Sequence, residues 1–382
     1  MNTPNPLICK QIDIPSDILR IIKNYLYLEI NNKNIKIAVT QWCNEKDEAL
    51  ILYGHIKYWD TKLVTNMRQL FSECFNFNDD ITNWDVSNVE DMSYMFSGAS
   101  SFNQPIGNWN VKNVKNMNNM FFGASSFNQP IGNWDVGKVE HMRHMFDYAR
   151  VFNQPIGNWD VSNVKYMNHM FENAWEFNQP INSWNVHNVK NMECMFKYAI
   201  VFNQSINSWN VSNVKKMSSM FSSASYFNQP IGDWDVRNVK YMNDMFSRAS
   251  SFNQPISNWN IANVVNASGM FYYAYSFNQA IGDWRTNNIE DMSSMFQYAI
   301  SFNQYIGNWN VGKVKNMSRM FFHASSFDQP INNWNVNMVM DMHGIFWDTF
   351  SFNYPINKWN IHPNIVIIEM FYIDIDYYDV YM

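Results

Sequence analysis

The sequence repeats itself every 25 residues, and this period constrains the fold more than any other feature. Tryptophan recurs at that interval from Trp59 to Trp359, so that 13 of the 16 tryptophans occupy one column of the aligned units. The rule is F-N-Q-P-I-x-x-W-[ND]-V-x-x-V-x-x-M-x-x-M-F-x-x-A-x-x, and about twelve units follow one another without an insertion. Such a period predicts a solenoid in which each unit packs against its neighbours.

Within each unit the apolar spacing predicts a short helix and a short strand. Steps of three, three, one and three separate the apolar residues of the second half, as in an amphipathic helix; in one unit these are Val89, Met92, Met95, Phe96 and Ala99. Trp84 and Val86 flank Asp85 and alternate as in a strand. We therefore expect an α/β solenoid of about twelve coils, with short parallel strands on one side and short helices on the other.

The chain divides into three parts on this pattern. Residues 1–58 precede the repeat and predict a helical N-terminal cap, residues 59–373 form the solenoid, and residues 374–382 are a C-terminal cap or tail. The Asn and Gln of the F-N-Q segment, such as Asn103 and Gln104, recur so regularly that we expect their amides to form hydrogen bonds between coils.

Composition excludes several classes of protein. The net charge is -6 and no basic run appears, which argues against nucleic-acid binding. No signal peptide and no apolar stretch long enough for a bilayer is present, so a cytoplasmic location is expected, in the host cell if the protein is viral. The four cysteines, Cys9, Cys43, Cys74 and Cys194, lack CxxC spacing and predict reduced thiols.

The unit FNQPIGNWDVSNVKYMNHMF at 152–171 resembles the BspA-like leucine-rich repeat family, in the 25-residue form of many microbial and large-virus proteins. The resemblance covers about four-fifths of the chain. It implies a leucine-rich-repeat-like solenoid that binds proteins, and relatives on bacterial surfaces are associated with adhesion. We therefore expect a non-enzymatic interaction scaffold, with a structural or surface protein of a microbe or virus particle as the alternative.

Residues 14–26 resemble the opening of an F-box, a Leu-Pro-like pair and an acidic residue followed by a helix that ends in Tyr-Leu. The resemblance implies docking on a Skp1-type adaptor of a ubiquitin ligase and a role as its substrate-recognition subunit. The alternative is a helix that only caps the solenoid. The residues expected to dock are Pro15, Ile18, Leu19, Ile22 and Leu26.

The positions beside the inward Trp and Val are expected to form the partner-binding face, because exposed variable columns can encode a partner. Asp and Asn there could instead only solubilise the sheet and cap turns. The residues expected to contact a partner are Asp85, Asn110, Lys112, Asp135, Asp160, His187, Asp235, Arg237 and Arg285.

Candidates for chemistry are few. His144, His169 and Cys194 share one column, and His141, His144 and His169 could hold one ion, but helices about 8–10 Å apart would leave Cys194 too distant. No metal site, cofactor or catalytic motif is predicted.

One unit departs from the rule. Ala267 replaces Met, Thr286 replaces Val, and Arg285 follows the Trp. We expect either a bend or a partner site there, with Arg285 and the nearby tyrosines as contacts.

Overall fold

A computed structural model describes residues 27–371. Its helices lie at the two ends; they are α1 (Ile35–Asn44), α2 (Lys46–Tyr53) and the 3-10 segments Ile56–Tyr58 and Ile367–Met370. Trp42 of α1 is buried, packs edge-on against Trp59 at 5.9 Å and donates its indole N–H to Asp79 at 2.8 Å. The helices α1 and α2 therefore cover the first coil. No helix in residues 27–371 has the length and apolar character to cross a bilayer.

Residues between these ends form a stack of parallel coils, and the prediction of a repeat solenoid is confirmed. Single-residue parallel bridges join each coil to the next, from Asn66 with Asp91 to Asn316 with Asp341. The bridges are the only strand-like pairing in residues 27–371. Each coil adds further backbone bonds to its neighbour, such as that from Met92 N–H to the Asn116 carbonyl at 3.0 Å.

The predicted helices of the repeat are wrong. Two apolar residues three positions apart instead form the first and last residues of a tight turn. The N–H of the last residue bonds to the carbonyl of the first, and such turns follow one another along the coil. Examples run from Met95 to Met92 at 3.1 Å and from Ala99 to Phe96 at 3.0 Å. Tyr94 lies between them with φ 58°, a left-handed conformation that an α-helix does not contain. A step of three fits both structures, and the sequence does not distinguish them.

The predicted strand at Trp84 to Val86 is also wrong, although its alternation of burial is correct. Trp84 and Val86 are buried and Asp85 is exposed. Turns close on either side, from Trp84 N–H to Ile81 and from Val89 N–H to Val86, and leave no room for a ladder. The Trp84 indole N–H instead donates to the Ile56 carbonyl of the cap's 3-10 segment at 2.9 Å.

The interior consists of ladders of identical side chains. Successive rings of one Phe column stack with centroids 5.4 Å apart at Phe71 and Phe96 and 5.6 Å apart at Phe96 and Phe121. Trp134 and Trp159 stack at 6.5 Å. The backbone bonds and parallel bridges between coils bring neighbouring coils about as close as strands in a sheet. The excess of Phe, Trp and Met in the sequence therefore reports continuous ladders.

The expected hydrogen bonds of the F-N-Q segment are confirmed. The backbone N–H of Asn103 donates to Asn78 Oδ1 of the preceding coil at 2.9 Å, and Gln104 Nε2 donates to the same oxygen at 3.0 Å. The same pair of bonds recurs along the stack, for example from Asn203 and Gln204 to Asn178.

The prediction of reduced thiols is wrong for two of the cysteines. Cys43 of α1 and Cys74 of the first coil form a disulfide with Cα atoms 6.1 Å apart. They lie 31 residues apart in sequence, and the packing of the cap on the first coil brings them together. Cys194 is free and buried.

The departing unit is packed like the others. Ala267 is buried in its column, and the buried Thr286 donates its hydroxyl to the Asn310 carbonyl at 2.9 Å. The F-box-like residues and the C-terminal tail 374–382 lie outside the described residues.

Candidate binding surface

The residues predicted to bind a partner lie along one exposed edge of the stack, formed in each coil by the positions equivalent to 85, 87, 88 and 90. Eight of the nine are exposed, and Asp235 is half-buried. The Asp235 carboxylate pairs with Arg237 Nε at 2.8 Å. We call this strip the exposed edge.

The Asp or Asn after each Trp also has a local structural role. Its side-chain oxygen accepts the backbone N–H two residues further on, at 2.9 Å from Ser87 to Asp85 and at 3.0 Å from Ser162 to Asp160. Hydrogen bonds from the serine side chain and backbone lower the pKa of both carboxyl groups. These carboxylates therefore stabilise turns, whether or not they contact a partner.

A row of lysines on the exposed edge was missed by the sequence analysis. Lys165, Lys190, Lys215 and Lys240 occupy one column in four successive coils and are exposed. Their backbones are joined directly, by bonds of 3.0 Å from each N–H to the carbonyl of the preceding lysine. Lys216 is exposed beside them. We call the four lysines of this column the lysine row. The signal was present as a 25-residue spacing, but a search for consecutive basic residues does not detect it.

Elsewhere in the same column, charges alternate and pair between coils. Lys115 pairs with Glu90 at 2.8 Å and Lys315 pairs with Glu290 at 2.7 Å. Lys165 also pairs, with Glu140 of the coil before it. Within residues 27–371, Lys190, Lys215 and Lys240 form no ion pair. The lysines therefore form a basic strip although no basic run appears in the sequence, and the exclusion of nucleic acid as a partner stays a prediction.

A second polar row lies on the turns that replace the predicted helices. His144 and His169 stack with ring centroids 4.2 Å apart. The three residues of this column that the sequence singled out have a left-handed backbone, with φ 52° at His144, 61° at His169 and 54° at Cys194. The expected helix spacing of 8–10 Å does not apply, because the coils are separated by one backbone ladder. Cys194 therefore lies beside His169 and is not too distant from it. His141 belongs to another column and stacks on Tyr166 at 5.9 Å.

Each member of this row has a charged neighbour three residues later, across a tight turn. His144 Nδ1 contacts Asp147 Oδ2 at 2.9 Å, His169 Nδ1 contacts Glu172 Oε2, and Lys197 Nζ pairs with Glu172 Oε1 at 3.1 Å. Burial opposes the charge of His169, but hydrogen bonds with Cys194 and Glu172 outweigh it and raise its pKa to about 10. For Asp147, burial is the larger effect and raises the pKa.

Tyrosines lie near the departing unit, as the sequence suggested, but their partner is another arginine. The Arg248 guanidinium lies 4.8 Å from the ring centroid of Tyr273, and Tyr273 stacks on Tyr298 at 4.2 Å. Burial is the main cause that raises the pKa of Tyr273. Arg285 lies on the exposed edge.

Comparisons with known proteins identify a repeat family. The family described as "Mycoplasma protein of unknown function, DUF285" matches residues 44–148, 130–225, 201–289 and 278–376. None of these ranges includes the F-box-like segment. No curated protein matches the chain.

Two solved structures show some similarity. A leucine rich cell surface protein from Faecalibacterium prausnitzii A2-165 aligns with TM-score 0.45 and 12% identity over 79% of this chain and 84% of that chain. The TLR13–ssRNA13 complex aligns with TM-score 0.20 and 9% identity over 83% of this chain and 58% of that chain.

Proposed function

The chain belongs to the DUF285 family of repeat proteins, and on this premise we propose that it is a non-enzymatic binding solenoid whose exposed edge recognises a protein partner with an acidic surface. The lysine row is the observation that supports this function. Like charges in successive coils repel one another, so the row does not stabilise the stack. An acidic partner would remove that repulsion and be attracted over a distance of about 10 Å.

The position of the row supports recognition of an extended surface. On the exposed edge, Lys240 follows Arg237 in the same coil and Lys215 lies one coil earlier. His187 belongs to the coil before that of Lys215. Parallel coils present these side chains at a regular spacing, as solenoids do when they bind extended partners. Elsewhere in the column, at Lys115 and Lys315, the charge is already paired with a glutamate of the preceding coil. We therefore place the centre of the contact on the coils between residues 190 and 240.

Affinity capture from a nuclease-treated extract of the source cell tests the proposal. The double variant Lys215→Glu with Lys240→Glu should lose the captured partner by at least tenfold, and that partner should be acidic. The matched control, Lys33→Glu with Lys36→Glu, makes the same charge change on exposed lysines of the cap and should keep it. Capture that survives the first variant would contradict the proposal, and so would capture that depends on nucleic acid.

The ubiquitin-ligase role stays a prediction from the sequence. It requires a Skp1-type adaptor to bind Pro15, Ile18, Leu19, Ile22 and Leu26, all outside the described residues. Purified adaptor should bind the full chain, and Pro15→Ala with Leu19→Asp should abolish that binding. If the wild-type chain does not bind the adaptor, the cap alternative stands.

The Cys43–Cys74 disulfide supports a second candidate, a structural or surface repeat protein. Disulfides persist in oxidising compartments and are rare in the cytosol. The cytoplasmic location stays a prediction, and alkylation of thiols in intact cells before lysis distinguishes the two. Cys43 that is alkylated without a reductant would favour the cytoplasm, whereas protected Cys43 with labelling from outside the cell would favour the surface.

A further inference from the structure

Three donors of different chemistry meet where two coils adjoin. A ring nitrogen of His169, a carboxylate oxygen of Glu172 and the Cys194 sulfur all lie within 4.8 Å of one another. His169 and Glu172 belong to one turn, and Cys194 occupies the His169 position of the next coil. Cys194 is 8% exposed, whereas the histidine and the glutamate are half-buried, so the group opens to solvent on one side.

We propose that His169, Glu172 and Cys194 bind a zinc ion that links two successive coils. In a tetrahedral zinc site with bonds of about 2.0–2.3 Å, the donors lie roughly 3.3–3.7 Å apart. The donors already lie within 4.8 Å of one another, so shifts of about 1 Å bring them to that separation. Three protein donors leave the fourth position to water.

The backbone explains why the donors converge. The turn that brings Glu172 beside His169 is closed by a bond from Glu172 N–H to the His169 carbonyl at 3.3 Å. The Cys194 N–H bonds to the Ser218 carbonyl of the following coil at 2.9 Å, which fixes the cysteine backbone in the ladder. Both His169 and Cys194 are left-handed, so equivalent side chains project the same way in successive coils.

The donor set favours zinc among common ions. A thiolate and an imidazole suit zinc, and a carboxylate is also accepted, whereas calcium and magnesium require oxygen donors. The His144 ring, stacked on His169 at 4.2 Å, restricts the orientation of the ligand ring. Binding displaces the thiol proton of Cys194 and the imidazolium proton of His169 to solvent, and it forms one zinc–sulfur and one zinc–nitrogen bond.

Lys197 is the group that competes with the ion. Its ammonium pairs with Glu172 Oε1 at 3.1 Å, so one carboxylate oxygen faces a cation already. The other oxygen, Oε2, is directed towards His169. Removal of the ammonium should therefore tighten metal binding, which a damaged fold would not do.

The experiment uses the full chain carrying Cys9→Ser, so that Cys194 is the only thiol outside the disulfide. Cobalt(II) added to this protein should produce a sulfur-to-metal charge-transfer band, and calorimetry should show one zinc bound. Cys194→Ser should abolish the band and weaken zinc binding by at least tenfold, and Glu172→Gln should weaken it by a similar factor. The matched control is Ser219→Ala, the same column one coil later, which should change neither.

Two further measurements distinguish the loss of a zinc ligand from a loss of folding. Lys197→Met should bind zinc at least threefold more tightly than the parent. Saturating zinc should slow the alkylation of Cys194 by iodoacetamide at least tenfold. An absent charge-transfer band, zinc binding that survives Cys194→Ser, or unchanged alkylation would overturn the site. Rapid alkylation that zinc does not slow would indicate a reactive thiol paired with His169 instead.

Discussion

The inter-coil bonds of the F-N-Q segment allow one decisive substitution at Asn178. Its side-chain oxygen accepts two hydrogen bonds from the next coil, from the Asn203 N–H at 3.0 Å and from Gln204 Nε2 at 3.1 Å. Asn178→Ala removes the acceptor for both donors. Asn178→Asp removes the same side-chain amide but keeps an acceptor oxygen. The chain contains that arrangement already, because Asp328 accepts the Asn353 N–H at 3.3 Å.

The magnitude follows from the two lost bonds. A typical intramolecular hydrogen bond contributes about 1 kcal/mol net, and a buried donor left without a partner costs about 1–3 kcal/mol. Asn203 is half-buried, so part of that cost applies. Asn178→Ala should therefore lower the free energy of unfolding by about 2–3 kcal/mol. Asn178→Asp should lower it by less than about 1 kcal/mol, since the bonds persist.

Urea denaturation followed by tryptophan fluorescence measures the difference between the variants. Because each coil contacts only its neighbours, a solenoid can also open locally. Hydrogen exchange at the Asn203 amide should therefore accelerate in Asn178→Ala and remain near the parental rate in Asn178→Asp. Equal destabilisation by the two variants would refute the assignment of stability to the acceptor oxygen.

Three other predictions concern the cap and the interior. Cys43→Ser should lower the free energy of unfolding by about 3–4 kcal/mol in the chain-entropy treatment of a loop of this length, and a reductant should destabilise the wild type but not the variant in thermal unfolding. Met217→Ala, at a fully buried position of the Met column, should cost about 2–5 kcal/mol in urea denaturation, and a loss below 1 kcal/mol would mean that the column closes around the gap. Hydrogen bonding to Lys57 lowers the pKa of Asp80 from 3.8 to about 2, so its contribution is present above pH 4 and is lost as the pH falls towards 2. Asp80→Asn should therefore destabilise the protein at pH 6 but have little effect at pH 2, and a pH-independent difference would contradict the ion pair.

The sequence predicted the stacked coils and their buried positions, but not the backbone conformation within a coil. Burial of Trp84, exposure of Asp85 and burial of Val86 were all predictable from alternation. The step of three between Met92 and Met95 was assigned to a helix because periodicity reports only which side chains point inward. A tight turn and a helical turn both satisfy that requirement. The left-handed residues that separate them are mostly not glycine, as at Tyr94, His144 and Ser219. Glycine occupies this column only in single coils, as at Gly269 and Gly344, so no regular glycine signal marked the turns.

The candidate sites divide in the same way. The columns of the repeat could be identified from the sequence. The nine residues of the exposed edge were assigned to one face in this way, although their contact with a partner stays a prediction. The concentration of charge in the lysine row and the contact of His169 with Cys194 depend on the distance between neighbouring coils. The sequence of a single unit does not give that distance. An assumed helix spacing separated residues that the structure places side by side.

The sequence by itself determined the period, the ladders and the solenoid, because the same apolar residue at every twenty-fifth position can be buried only by stacking like on like. Only the tertiary structure decided how closely the coils stack. With a single backbone ladder between coils, the Lys215 backbone bonds to that of Lys190, and the donor atoms of His169 and Cys194 lie within 4.8 Å of each other. The packing of the cap on the first coil likewise joins Cys43 to Cys74. Residues 25 positions apart in sequence then lie about as close as neighbours on adjacent strands of a sheet. This short distance between coils creates the lysine row and the donor cluster.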